Sequence, residues 1–219
     1  FVDIDGIDVG TYVVNAQKIV AEQLDLPAGY SVGWSGQFEY MERAKEKLNY
    51  VIPLTLAIIA ILLFINFRSF IEVAILMGTL PFALIGSIWL MYWQNFNFSI
   101  AVGVGFIALA GVAVEISVIM LVYLNQAWLR AKEQSGKETL SLDELRQAVT
   151  DGAGLRVRPV MMTAAAVIVG LLPILYGSGT GSEVMSRIAA PMVGGMVSAV
   201  FLTLLVLPAV YFMWKKRVS

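Results

Sequence analysis

Two kinds of side chain in this sequence could do chemistry in an apolar setting. The first is the carboxylate of Glu115, the single charged residue of the run 98–124. It stands about two turns or more from either end of that run, where a short side chain reaches neither water nor headgroups. A charge inside a span costs at least about 2.5–3.5 kcal/mol, which makes an intramembrane carboxyl a functional candidate. Buried at a helix contact, such a group could take up and release protons, and each proton crossing the membrane field releases about 2.3 kcal/mol per 100 mV. The bland alternative is a protonated Glu that serves only as an interhelical hydrogen-bond donor. Glu72, the other carboxylate within an apolar run, lies at its start beside Arg68 and reads as an interfacial residue.

The second kind is the thioether. There are ten methionines and neither histidine nor cysteine, so imidazole and thiolate metal sites, disulfides and Cys- or His-based catalysis are excluded. Thioethers suit soft monovalent ions such as Cu(I) and Ag(I). Met185, Met192 and Met196 follow one another at spacings that place them along one helical face, whereas the other methionines read as apolar filler. Ordinary packing competes with a metal path at Met192 and Met196 as well. No grouping of nucleophile, base and oxyanion donors can be assembled, so an enzyme is not expected. Gly103 and Gly105 lie inside an apolar run, so they are not a phosphate loop. With Gly111 and Ala108 they keep one helix slim for close packing.

The elements that must hold these residues are membrane helices. Of the 219 residues 58% are hydrophobic and 14% charged, far from the usual soluble composition. Lys plus Arg number 15 against 16 Asp plus Glu, which offers no field for nucleic acid. Apolar runs at 51–67, 71–93, 98–124, 160–176 and 188–214 are each long enough to cross a bilayer. Trp93, Trp128, Trp214, Tyr92, Tyr123, Tyr176 and Tyr211 stand near their ends, where amphipathic rings favour the headgroup zone. Basic residues gather at Arg68, in the segment 125–158 and at Lys215, Lys216 and Arg217. The positive-inside rule therefore puts the 125–158 loop and the C-terminus in the cytoplasm and the N-terminal segment in the periplasm.

Within that loop Ser141 and Glu144 have capping-box spacing, which predicts a short helix from about Leu142 to Asp151. Gly152, Gly154 and Pro159 read as its stop and as the start of the next span. Residues 1–46 have a different pattern. An extended stretch around Val2, Ile4 and Ile7 is followed by helical spacing from Tyr12 to Leu24, a turn at Pro27–Tyr30 and a second extended stretch at 31–35. This reads as the end of a β-α-β unit too small to be a domain alone. The expected fold is thus a five-helix membrane protein, residues 47–219, preceded by the end of a periplasmic α+β subdomain and cut from something longer.

Four runs carry a resemblance: Gly33-Trp34-Ser35-Gly36-Gln37-Phe38-Glu39, the stretch from Gly103 to Glu115, Leu155-Arg156-Val157-Arg158-Pro159, and the stretch from Gly179 to Pro191. Together they resemble the heavy-metal efflux branch of the resistance-nodulation-division transporters, and within it the copper/silver exporters, over the whole chain. The resemblance implies the last five of twelve spans of a homotrimeric inner-membrane pump that joins a periplasmic adaptor and an outer-membrane channel. It implies further that Glu115 belongs to the proton relay, and that Met185 belongs to a chain of methionines passing Cu(I) or Ag(I), the transported ion, there being no resident cofactor. Copper-type members carry a relay lysine directly after the Arg-Pro pair, where this chain has Val160. Either the relay uses other groups, as in divalent-metal relatives, or the ion differs. A drug or lipid exporter of the same superfamily, or a truncated piece that does not transport, are the competing readings.

Overall fold

The computed structural model describes residues 9–24, 27, 29–136, 140–179 and 181–218. Its helices are α1 (Val9–Gln23), α2 (Gln37–Phe67), α3 (Phe70–Trp93), α4 (Ile100–Ser135), α5 (Leu142–Leu175), α6 (Ser182–Phe201) and α7 (Leu207–Val218), with a π-helical turn at Leu202–Val206 joining the last two. Five helices, Phe38–Phe67, Phe70–Trp93, Ile100–Ser135, Leu142–Leu175 and Ser182–Arg217, are long and apolar enough to cross a membrane. The last of these includes the π turn. The chain divides into two units, Phe1–Ile59 and Ala60–Ser219.

In the first unit the turn after α1 closes through the Tyr30 amide, which donates to the Pro27 carbonyl at 3.1 Å, with Gly29 at φ 99° where a side chain would be strained. In α2 the Thr55 hydroxyl returns to the Val51 carbonyl around Pro53, and Arg43 pairs with Glu39 one turn away. No strand forms among the described residues. The expected first strand, around Val2–Ile7, lies outside them. Residues 31–35 carry no ladder bonds, because an extended segment becomes a strand only when a partner satisfies its amides and carbonyls.

The second unit is a helical bundle. Three of its helices start on a serine whose hydroxyl accepts an orphan amide of the first turn: Ser69 from Glu72, Ser99 from Val102, and Ser141 from Glu144. The last is a complete capping box, since Glu144 accepts the Ser141 amide at 2.8 Å. Beyond that cap the expectation fails. Segment 125–158 is mostly helix and not a loop: α4 runs on to Ser135, and α5 continues from Leu142 through Gly152, Gly154 and Pro159 without a stop. Gly152 is there for contact, because a Cβ on it would lie 2.8 Å from the Ala127 methyl and 3.2 Å from the Tyr123 carbonyl of α4. Pro159 removes one helical donor, and the Thr163 hydroxyl bonds its carbonyl at 3.1 Å. The carbonyl that loses its donor is that of Leu155, one turn back, and a single missing backbone bond of this kind is tolerated within a membrane helix.

α6 is the hub, packing on α3, α4 and α5. In lipid no hydrophobic effect pulls helices together, so close backbone approach and interhelical hydrogen bonds must do it. The α3–α6 contact has both. Gly86 and Gly194 face each other so closely that a Cβ on Gly194 would overlap the Gly86 carbonyl and lie 2.7 Å from the Leu90 Cβ. Ser198 accepts the Gly86 amide at 3.2 Å and donates to the Ala83 carbonyl at 2.8 Å, while Ser87 donates to the Pro191 carbonyl at 2.5 Å. Where α3, α4 and α6 converge, the buried residues are three alanines, Ala83, Ala113 and Ala199. The π turn carries a buried Thr203 whose hydroxyl lies 3.3 Å from that of Ser117 on α4.

Replacing Gly194 with Val should force α3 and α6 apart at a cost of about 1–3 kcal/mol, typical of overpacking. Gly170→Ala on α5, where nothing lies within 4 Å of the added methyl, should be neutral or stabilising by up to about 1 kcal/mol. Thermal unfolding of the purified protein in detergent, read by circular dichroism, separates the two.

Candidate functional site in the membrane bundle

Glu115 is not buried, contrary to expectation. It is exposed on α4 in a stripe with Val104, Ile107 and Gly111, and among the described residues it has no hydrogen-bond or ion-pair partner. The reason is helical phase. α4 turns Val102, Gly105, Leu109, Ala113, Ile116, Met120 and Leu124 inward against its neighbours, and the position one residue before Ile116 falls on the open side. The glycines divide along the same line. Gly105 is pressed against α6, where a Cβ would lie 2.5 Å from the Pro191 Cγ, but Gly103 and Gly111 face open space.

The methionines of α6 also part company. Met185, in the first turn, is 58% exposed; Met192 is half-buried; Met196 is fully buried among Ile116, Val160, Ala164 and Val200. The shared face therefore runs from an accessible end into dry packing, and Met196 acts as core filler. Val160, standing where a relay lysine was expected for a copper-type pump, is 2% exposed in that same apolar cluster. No cation faces α4 from that position.

The most elaborate polar arrangement lies elsewhere, at the end of the bundle where α3 begins and α7 ends. Glu72 of α3 is 6% exposed, and its Oε2 accepts the Asn125 amide of α4 at 3.0 Å. Tyr211 of α7, wholly buried, donates its hydroxyl to Asn125 Oδ1 at 2.7 Å. Lys215, one turn further along α7, places its ammonium 3.9 Å from the ring centre of Trp128 and 4.3 Å from that of Trp214, within coulombic range of Glu72. Each member supplies what its neighbour lacks: a carboxylate with a donor, an amide oxygen with a hydroxyl, an ammonium with aromatic faces. The sequence reading missed this cluster and took Glu72 for a snorkelling residue. Its only signal there was a carboxylate in the first turn of a span; partners 53 and 86 residues apart leave no periodic trace.

Five membrane-length helices, four of them gathered in a bundle held by glycine contacts, with an exposed carboxylate in the middle of one span and an exposed thioether at the start of another, define a polytopic membrane protein of the transporter kind. The profile of the AcrB/AcrD/AcrF family matches residues 4–215, and the chain belongs to that family, within the resistance-nodulation-division transporters. It is 50% identical to SilA of Salmonella typhimurium over 218 residues and 49% identical to the cation efflux system protein CusA of Escherichia coli (strain K12), covering 99% of this chain and 21% of each relative. The cobalt-zinc-cadmium resistance protein CzcA of Cupriavidus metallidurans is 37% identical over 209 residues, 95% of this chain and 19% of that protein. A crystal structure of a heavy metal efflux pump superposes with a TM-score of 0.79 at 33% identity, covering 96% of this chain and 20% of the pump. The chain thus spans about a fifth of the length of the relatives it matches.

Tyr211→Phe removes the hydroxyl that donates to Asn125 Oδ1 and should cost about 1–3 kcal/mol, the penalty for an unsatisfied buried acceptor. Asn125→Leu strands the Glu72 carboxylate and should cost at least as much. Both are measured as lost thermal stability in detergent, and an unchanged Tyr211→Phe protein would show that the network is water-filled.

Proposed function

We propose that this chain forms the closing five spans of a proton-driven heavy-metal exporter of the bacterial inner membrane, working as a homotrimer with a periplasmic adaptor and an outer-membrane channel. The observation that carries the reading is identity of about one half to CusA and SilA along 99% of the chain. The basic ends of the helices, Arg68, Arg130, Lys132 and Lys215–Arg217, favour a cytoplasmic C-terminus and a periplasmic N-terminal segment.

Glu115 is the proton carrier in this reading. Its open stripe with Gly111 offers a slim, unpartnered face on which the rest of a larger membrane domain can close, giving the carboxyl a second helix to exchange protons against. Small-residue helix faces also suit the rocking of one bundle against another that alternating access requires. Met185, exposed at the start of α6, is the thioether a passing Cu(I) or Ag(I) could touch. Met192 is a weaker candidate. Met196 is weaker still, because its sulfur is enclosed by apolar side chains.

A second reading, export of a divalent ion such as Zn(II), is favoured by one observation: the position after the Arg158–Pro159 pair, in one cluster with Ile116 of α4, is the apolar Val160 and not a lysine. Full-length protein in proteoliposomes under an imposed pH gradient decides between them. For the copper-type pump, Glu115→Gln should abolish both proton and Cu(I) or Ag(I) flux, while Met185→Leu should weaken metal flux alone. Transport of Zn(II) in place of Cu(I), unaffected by Met185→Leu, selects the divalent reading. Metal flux untouched by Glu115→Gln removes that residue from the coupling.

A further inference from the structure

The aromatic clamp around Lys215 is incompletely satisfied, and what it lacks is an anion. Lys215 and Lys132, from α7 and α4, both direct ammonium groups at the indole of Trp128, at 3.9 and 5.5 Å from its centre. They repel one another, being within coulombic range. Glu72, the carboxylate within coulombic range of Lys215, is already held by Asn125. Lys216 and Arg217 follow directly on the exposed side, so positive charge at this end of α7 exceeds what the protein returns.

A second observation is independent of the charges. The indole N–H groups of Trp128 and Trp214 are both shielded from solvent and have no acceptor among the described residues. Unpaired buried donors are uncommon enough in folded proteins to call for an explanation. Two N–H donors and the ammonium groups of Lys132 and Lys215, brought together from α4 and α7 at the end of a span, match an oxyanion with several acceptor oxygens. The place in the membrane says where that oxyanion comes from. Tryptophan rings and basic residues at span ends lie at headgroup depth, and basic pockets between membrane helices bind anionic lipid headgroups.

We infer that Trp128, Lys132, Trp214, Lys215 and Lys216 form a binding site for the phosphate of an anionic phospholipid. Lys132 and Lys216 meet the headgroup from the accessible side. Lys215, only 9% exposed, adds charge from behind and ties the bound lipid to the Glu72–Asn125–Tyr211 network. The inference needs only that the chain lies in a membrane, not that it exports metal.

The test is competitive retention of phosphatidylglycerol against phosphatidylcholine by the full-length protein in neutral detergent, read by native mass spectrometry. Phosphatidylglycerol should be kept in preference by about tenfold or more, and Lys132→Gln and Lys215→Gln should each reduce the preference about fivefold, as expected for one cationic contact. Equal retention of the two lipids overturns the inference. So does a preference that Lys132→Gln leaves intact; this variant lies off the Glu72 network and decides the matter should Lys215→Gln fail to fold. Displacement of the lipid by inorganic phosphate or by an acidic peptide also overturns it, assigning the cluster to a soluble anion or to a protein partner.

Discussion

The backbone contact between Gly86 of α3 and Gly194 of α6 is the constraint on which the bundle depends. Two peptide planes meet where any side chain would collide, and the nearby serines convert that proximity into hydrogen bonds that cross between the helices. A lipid-facing bundle has no solvent-driven collapse to draw on, so contact of this kind supplies most of its cohesion. From this crossing the other placements follow. α6 is fixed against α3, α4 inserts at the alanine junction, and Gly105 fits beneath Pro191. The stripe bearing Glu115 is left outward as a result.

The bundle separates its polar chemistry into two regions of opposite character. The Glu115 face has one carboxyl, glycine and aliphatic neighbours and no internal partner, an arrangement that is complete only when something else closes on it. The Glu72–Asn125–Tyr211 chain, by contrast, is closed on itself across three helices, with directional bonds of 2.7 and 3.0 Å.

Much of the fold was legible from composition and spacing. Five apolar runs became five membrane-length helices, and the Ser141–Glu144 box formed as expected, because a cap depends on residues three apart. The helix stop at Gly152 was misread for the converse reason. Glycine is ambiguous between ending a helix and admitting a neighbour, and only the position of Ala127 on another helix decides it. The same ambiguity explains why Gly105 met a partner while Gly103 and Gly111 did not. For the site, sequence could find Glu115, since a charge in an apolar run is conspicuous, but not which way it points. It could not find the Glu72 cluster, whose members Asn125 and Tyr211 are unremarkable polar residues near span ends until folding joins them.

The π turn at Leu202–Val206 reaches further than its five residues suggest. The Leu207 amide bonds the Leu202 carbonyl five residues back, so the last span behaves as a regular helix into which one residue has been inserted. An inserted residue advances everything after it by about 100° around the axis. The two halves of the span therefore keep independent phases. One turns Gly194 and Ser198 onto α3, and the other turns Tyr211 and Lys215 toward α4. A register set by a single residue lets one continuous rod address two different partners, and removing that residue would point the whole second half, aromatic clamp included, at the wrong neighbour.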